Sequence, residues 1–494
     1  PIVLPQTAGN DSLILRLASA IGIIGAADGP TTLYVANHFN LADYMAPISV
    51  AAYSYMSLVP VIQPPVIRAL TSKEERMIRM TYTEERASKL ALILFPQEKI
   101  EYIQEDFTGD GAVSTLHQGE SWITATAKIT RNGETARGIA RCRREKITEP
   151  LRRQILRQSF YRAALHFLDA PPSWGALSGV RPTKLVSRHL MAGGNRVSAD
   201  RMLREVYDVS SQRRALCLDA AESTMAALSR QREGDISLYV GIPFCPTRCI
   251  YCSFVSAATE KSRKLIPVYL KALEQEICAA AEGLKRHPHR IRTVYIGGGT
   301  PTTLSAEELR WLLDTLHQAF DLSECLELTV EAGRPDTLDP EKLLAIRQGG
   351  ATRISINPQT MDDRVLEIMG RSHTSADILR AYGQAVEAGH SDINMDLIAG
   401  LPGDTPEGFQ HTMEQVLALH PTNITVHTLA LKKAATLYYE KRAALPTATM
   451  VEEMLSFASR SLRDAEYHPY YLYRQKYMTG SFENVGWSRH GYDN

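Results

Sequence analysis

From Ser237 to Thr428 the chain repeats one unit, a short apolar run followed by an amphipathic stretch of helical period. The runs fall at residues 237–242, 292–296, 326–331, 352–356, 392–398 and 423–428. Strands that alternate with helices in this way pair side by side through crossovers, so the rhythm predicts a parallel sheet. We expect an α/β fold in which this part is a partial barrel of six strand–helix units, (β/α)6. In such folds ligand-binding side chains gather where the strands end.

The rest of the chain divides around that core, with 235–430 as the barrel. Upstream, Trp122 to Thr130 alternates, Asn132-Gly133 is a hairpin signal, and Glu134 to Cys142 continues the alternation. Residues 81–148 are therefore expected to form a small α+β domain. Residues 149–234 read as a helical connecting region, interrupted by Ser178-Gly-Val-Arg-Pro-Thr-Lys184. Residues 431–494 form a last, C-terminal region.

Residues 1–80 have another character. Leu13 to Pro30 is apolar and small, interrupted only by Arg16 and Asp28, and Tyr44 to Ile67 has no charged residue. A run of roughly 20 apolar residues can span a bilayer. A buried helix pair would have the same composition. Pro47, Pro60, Pro64 and Pro65 speak against one unbroken helix.

Charge and cysteine usage narrow the function. Lysine plus arginine equal aspartate plus glutamate at 55 each, which speaks against a broad nucleic-acid-binding face. The seven cysteines are too few and too scattered for a secreted disulfide framework, so a reducing cytoplasm is expected for the enzyme domain. The chain begins at Pro1, with no charged n-region before a short apolar core, and is expected to start inside a longer reading frame.

Three of the cysteines stand together as Cys245-Pro-Thr-Arg-Cys249-Ile-Tyr-Cys252, directly after the first apolar run. A single loop with this spacing can wrap one cuboidal cluster. A [4Fe-4S] cluster normally takes four cysteines, so three leave one iron open for chemistry. The amino and carboxylate groups of S-adenosylmethionine can chelate that iron. A zinc site is the competing reading, but zinc prefers four tetrahedral ligands and no fourth Cys or His lies nearby in sequence. Unrelated buried thiols are the other.

This Cys-x3-Cys-x2-Cys pattern after a first strand resembles the radical S-adenosylmethionine enzymes. Ile242-Pro-Phe-Cys245, Gly297-Gly-Gly-Thr-Pro301, Arg353-Ile-Ser355 with Gln359, Gly370-Arg-Ser-His-Thr374 and Asp396-Leu-Ile-Ala-Gly-Leu-Pro402 resemble the oxygen-independent coproporphyrinogen oxidase branch. Gly179 to Lys184, Thr425 to Lys432 and Tyr471 to Lys476 resemble its HemZ-type coproporphyrinogen dehydrogenases. The resemblance covers roughly residues 81–494, and it implies that residues 431–494 cover the substrate, a cover expected to be truncated at Asn494 with no helix long enough to anchor it. It implies a [4Fe-4S] cluster on Cys245, Cys249 and Cys252. It implies S-adenosylmethionine contacts at Tyr239, Tyr251, Gly298, Gly299, Thr300, Glu331, Gln359, Arg371 and Asp396. Each of these, taken alone, reads equally as an ordinary turn, packing or surface residue.

The implied reaction is the oxidative decarboxylation of coproporphyrinogen III to protoporphyrinogen IX in haem biosynthesis, with an external reducing electron donor. A reduced cluster would cleave S-adenosylmethionine, and the resulting radical would take a hydrogen from a propionate side chain. Arg181, Lys184, Lys432, Lys433 and Arg474 are candidates to hold the four substrate carboxylates. Two departures bear on the substrate. Ser253-Phe254 follows the third cysteine where the oxidase pattern has x-Cys, and Gly241 replaces a histidine. The Cys-x-Phe ending also resembles haem chaperones of the same superfamily, which gives a second reading as a haem-binding module.

Gly22-Ile-Ile-Gly-Ala-Ala-Asp28-Gly-Pro-Thr31, Val50 to Met56 and Val59 to Pro65 resemble another family, the β subunit of sodium-pumping biotin-dependent decarboxylases. There Asp28 matches an aspartate that takes part in sodium transport. The resemblance covers a middle slice only, which excludes a complete pump and leaves a membrane ion-transport subunit fragment as a third reading. Membrane contact is expected only through residues 1–80. The join near residue 81 reads as a fusion, natural or made in gene assembly.

Overall fold

The computed structural model describes residues 90–91, 93–95, 109–179, 181–254, 256–285, 289–432, 434–440, 445–474 and 479–492. The expectations for residues 1–80 with Asp28, and for Lys433, Gln475 and Lys476, lie outside the described residues. The chain divides after Thr83, and all described residues belong to the second unit.

Three antiparallel strands come first: β1 (Gly111–Gln118), β2 (Trp122–Arg131) and β3 (Glu134–Arg143). Asn132 and Gly133 both take positive φ, 50° and 82°, as the two-residue turn expected between β2 and β3 requires. Alternation puts Ile123, Ala125, Ala127 and Ile129 on one buried face. Helix α1 (Glu149–Ala164) covers that face with Ile155, Phe160 and Ala163. The approach is close: a Cβ on Gly138 would lie 2.1 Å from the Ser159 carbonyl oxygen. A domain limit at 148/149 would cut between β3 and α1. The sheet packs on α1, so α1 belongs with the strands.

Helices α2 (Pro182–Met191), α3 (Arg196–Tyr207) and α4 (Ser211–Ser229) follow. Their buried Val186, Leu203 and Leu216 share one core with Met395, Leu397 and Val426 of the barrel.

The main sheet then runs β4 (Asp235–Ile242), β7 (Arg290–Gly298), β8 (Glu327–Glu331), β9 (Arg353–Ser355), β10 (Ile393–Ala399) and β11 (Asn423–Thr428). Two-residue strands β5 (Phe244–Cys245) and β6 (Ala257–Ala258) make a separate pair between β4 and β7. The six long strands pair in parallel, each within a few residues of the run expected for it. Helices α5 (Ile266–Leu284), α6 (Ala306–Ala319), α7 (Pro340–Gln348), α8 (Ser375–Glu387) and α9 (Pro406–Ala418) join them. Ile242, Ile296, Val330 and Ile354 face these helices and are fully buried. The opposite, inner face carries polar side chains.

The C-terminal region departs from the expected cover. After α10 (Ala448–Asp464), strands β12 (His468–Arg474) and β13 (Glu483–Ser488) extend the sheet antiparallel to β11. The full order is β12-β13-β11-β10-β9-β8-β7-β4. Helix α10, whose existence was not expected, is anchored by buried Val451, Met454, Ala458 and Leu462.

Arg474, expected to face substrate, is instead buried. It donates to the carbonyls of Ser481 and Leu177. Burial lowers its guanidinium to about 10. Beside it Arg213 pairs with Glu483 at 2.8 Å, both almost fully buried, and Trp174 Nε1 donates to Glu483 at 2.6 Å. These bonds fasten the helical region to the C-terminal hairpin. Among the described residues no helix is long and apolar enough to cross a membrane.

Candidate active site

The cysteine loop is an excursion from the C-terminal end of β4. Phe244–Cys245 pairs in parallel with Ala257–Ala258, which closes the neck of the loop. The glycine turn after β7 supports it from beneath. Gly299 N–H donates to the Ile242 carbonyl at 2.8 Å, and Thr300 N–H to the Phe244 carbonyl at 2.7 Å. Gly298 takes φ 107°, and a Cβ on Gly299 would stand 2.6 Å from the Phe244 carbonyl oxygen. Only glycine lets the two chains approach this closely. Thr300 Oγ1 lies 3.5 Å from Cys245 Sγ.

The far side of the loop is pinned by the segment around Gly370. Ile250 N–H donates to the Met369 carbonyl at 3.2 Å, and Thr247 Oγ1 to the Gly370 carbonyl at 3.1 Å. Leu437 N–H reaches the Ile250 carbonyl at 2.8 Å, and Arg248 reaches the Ala434 carbonyl at 3.1 Å. Arg371 is buried and donates to the carbonyls of Asn357 (2.7 Å), Pro358 (3.2 Å) and Gly333 (3.3 Å). Burial works against its charge, but the Tyr251 hydroxyl and the Cys249 thiol beside it outweigh that. Burial also pushes up the Tyr251 phenol and the Cys252 thiol.

A second arginine, which sequence reasoning missed, points at the same thiol. Arg334 is 3% exposed, and its Nη1 lies 3.7 Å from Cys249 Sγ. It stands in a turn with no periodic pattern to mark it. Its one sequence signal is a charged side chain set between Gly333 and Pro335.

Glu331, Asp396 and the two tyrosines line the inner wall below this rim. Tyr239 stacks on Tyr295 with ring centroids 5.9 Å apart, and the Tyr295 hydroxyl donates to Glu331 at 2.6 Å. Burial raises the Glu331 carboxyl to about 7, against the pull of Tyr295 and the Gly298 N–H. Asn394 donates to Asp396 at 2.8 Å, and His427 Nε2 stands 3.8 Å from it. Burial opposes the Asp396 charge, yet the His427 ring, with Asn394 and Thr425, holds its carboxyl below the usual range. Gln359 has φ 71°, and its backbone bonds the Asp396 carbonyl at 2.9 Å and the Ile398 N–H at 3.0 Å.

The structure thus brings Cys245, Cys249, Cys252, Tyr251, Gly299, Thr300 and Arg371 to one rim. Tyr239, Gly298, Glu331 and Asp396 form the wall beneath, with Gln359 tied to Asp396 through the backbone. Arg181, Lys184 and Lys432 are exposed, and Arg181 lies beside Tyr471.

The donor set fits a multi-iron cluster better than a single ion. Three thiolates on one tetrahedral zinc would sit about 3.8 Å apart. Among the described residues no three His, Cys, Asp or Glu side chains converge for one metal ion. A four-iron cluster takes one thiolate per iron and keeps the sulfurs apart. Arg371 Nε is buried with no hydrogen-bond partner beside the thiols, a donor that an anionic group there would satisfy.

Comparison with known proteins agrees. Residues 239–416 match the radical SAM superfamily. The chain carries a radical SAM domain. That family implies a [4Fe-4S] cluster and S-adenosylmethionine. The chain is 38% identical over 323 residues to the oxygen-independent coproporphyrinogen-III oxidase-like protein HemZ of Bacillus subtilis, covering 64% of each chain. It is 34% identical over 238 residues to the heme chaperone HemW of the same organism, covering 47% of this chain and 62% of that one. The chain spans less than two thirds of the length of either relative. The solved coproporphyrinogen III oxidase HemN of Escherichia coli is 28% identical, covers 54% of this chain and 58% of its own, and superposes with a TM-score of 0.46. Separately, residues 6–103 match the β subunit of the Na+-transporting oxaloacetate decarboxylase, a match that runs past residue 80.

Proposed function

We propose that the radical SAM domain oxidatively decarboxylates two of the four propionate side chains of coproporphyrinogen III, each losing a hydrogen atom to the cofactor-derived radical, one electron to an acceptor and carbon dioxide, yielding protoporphyrinogen IX. The observation that carries this reading is the placement of the three-cysteine loop over a polar-walled half barrel that is open along β4. A packed barrel interior has room only for side chains, whereas this wall leaves Tyr239 62% exposed at the free edge. The likeness to the oxidase-like protein HemZ supports the choice of substrate.

Cluster and S-adenosylmethionine together supply hydrogen-atom abstraction when bound. The chain's own residues do the rest. Cys245, Cys249 and Cys252 would hold three irons. The backbone at Gly298 and Gly299, with Glu331, Gln359, Arg371 and Asp396, would orient the cofactor. The stacked Tyr239 and Tyr295 rings would line the inner wall beside Glu331. Exposed Arg181, Lys184 and Lys432 would meet substrate carboxylates at the opening.

The alternative is a haem chaperone, favoured by the likeness to HemW and by Phe254, which is 59% exposed after the third cysteine. One experiment separates the two. The anaerobically loaded chain, a strong one-electron reductant, S-adenosylmethionine and coproporphyrinogen III are incubated together. We expect carbon dioxide, 5'-deoxyadenosine and protoporphyrinogen IX. Stoichiometric binding of haem in a parallel incubation with haem, without carbon dioxide release in the first, would make the chain a chaperone.

A further inference from the structure

Buried Arg334 and its partner Asp336 form a charged unit to which the proposed reaction gives no role. Asp336 holds the guanidinium in a fork, at 3.0 Å to Nε and 2.9 Å to Nη2. The same carboxylate stands 3.4 Å from His373 Nδ1. Arg334 spends its remaining donors on the cysteine loop: Nη2 to Thr247 Oγ1 at 3.0 Å, and Nη1 to the Thr247 carbonyl at 3.3 Å and Cys249 Sγ at 3.7 Å. A flexible surface arginine would not stay at that distance. This one is locked by its fork and by burial.

We propose that Arg334 is a positioning residue for the cluster, aimed by Asp336, whose guanidinium hydrogen-bonds the Cys249 sulfur and raises the cluster's reduction potential. The inference rests on the cluster assignment and not on the identity of the substrate. Reduction adds one electron, supplied by an external low-potential donor, to a group already made anionic by three thiolates. A buried cation and an N–H donor at a ligand sulfur stabilise the state with more negative charge. In a low-dielectric setting that stabilisation is large and weakly screened. Asp336 has a second effect, since its negative charge offsets part of the guanidinium's.

Two substitutions therefore act with opposite sign. R334Q removes the cation and the potential falls. D336N leaves the cation with no counter-charge and the potential rises. If Arg334 merely clipped the loop in place, both changes would loosen the same clip and move the potential together.

The test is an anaerobic redox titration, followed by electron paramagnetic resonance, of the full chain loaded with iron and sulfide. Wild type, R334Q, R334K and D336N are compared at equal iron content. R334Q should disfavour reduction at least tenfold, about 59 mV for a one-electron couple. R334K, which keeps the charge without the fork, should fall between R334Q and wild type. D336N should shift upward. An unchanged potential in R334Q, or a shift of R334Q and D336N in one direction, overturns the proposal. If R334Q takes up no iron, D336N decides alone, and a potential at or below wild type overturns it. A wild-type chain with no reduced-cluster signal would instead refute the cluster assignment.

Discussion

The inner face of the barrel carries the same pair of acids twice, at two heights. Glu327 and Glu331 lie four residues apart on β8, and Asp392 and Asp396 four residues apart at β10, so each pair shares a face. The lower pair is closed. Arg353 reaches Glu327 at 2.8 Å and Asp392 at 3.0 Å, and donates to the Tyr492 carbonyl at 2.6 Å. Thr422 adds a bond to Asp392 at 2.5 Å. Among the described residues the upper pair has no arginine partner. Glu331 takes a phenol and a backbone N–H, while Asp396 takes an amide and stands near a histidine. Chemically equal acids thus serve as a plug at one end and as unspent acceptors at the other. The missing arginine, not the acids, marks the site.

The largest effect should come at the rim. Replacing Cys245, Cys249 or Cys252 with alanine should abolish the cluster, because three ligands leave no spare. Iron and sulfide analysis of each reconstituted variant checks this. Full iron content in any one would remove that cysteine from the ligand set.

Next, R353M should unfold the plug. It leaves Glu327 and Asp392 facing each other without their cation, a loss of about 3–5 kcal/mol for breaking a buried pair. Urea titration should show the drop. A stability within 1 kcal/mol of wild type would mean that the lower pair is no plug, and the contrast between the two heights would fail.

E331Q tests the upper pair and should do the opposite. Folding raises the Glu331 carboxyl from 4.5 to about 7, so the native state binds the extra proton between those values. Stability is then greatest at low pH and is lost as pH rises through about 7, the reverse of a paired carboxylate. Against wild type, E331Q should gain stability from pH 5 to pH 8, by up to about 3 kcal/mol. It should also weaken S-adenosylmethionine binding, read by calorimetry. A stability gap that does not change with pH would show that Glu331 is already paired in the native state.

The smallest effect is expected for H427Q. The depressed Asp396 carboxyl contributes stability above its unfolded value, which is lost as pH falls through the lower folded one. Without His427 that loss should begin at higher pH, with a change of about 0.5 kcal/mol or less at pH 7. Acid titration of the two proteins side by side reads the difference.

The sequence is most informative where a signal repeats. Six strand runs stand within a few residues of the observed strands because alternation and helical period both mark them, and the Asn132-Gly133 turn carries its own backbone requirement. The hairpin of β12 and β13 was not legible as part of the sheet. Its pairing with β11 joins Trp487 to Ile424, residues far apart in sequence that no local pattern connects. Arg474 shows the same limit. Its type suggested a substrate anchor, but the carbonyl of Leu177 that holds it comes from a distant loop. Arg334, Asp336 and His373 are single residues in turns, and their meeting at Cys249 and Thr247 exists only in three dimensions.

The sheet ends at β4, with nothing paired on its outer side among the described residues. A closed ring of strands has a fixed girth, set by strand number and stagger. An unclosed one has no girth fixed by ring closure, so the breadth of its inner wall is set by the twist and stagger of the paired strands alone, and the outer side of β4 is left as its open margin.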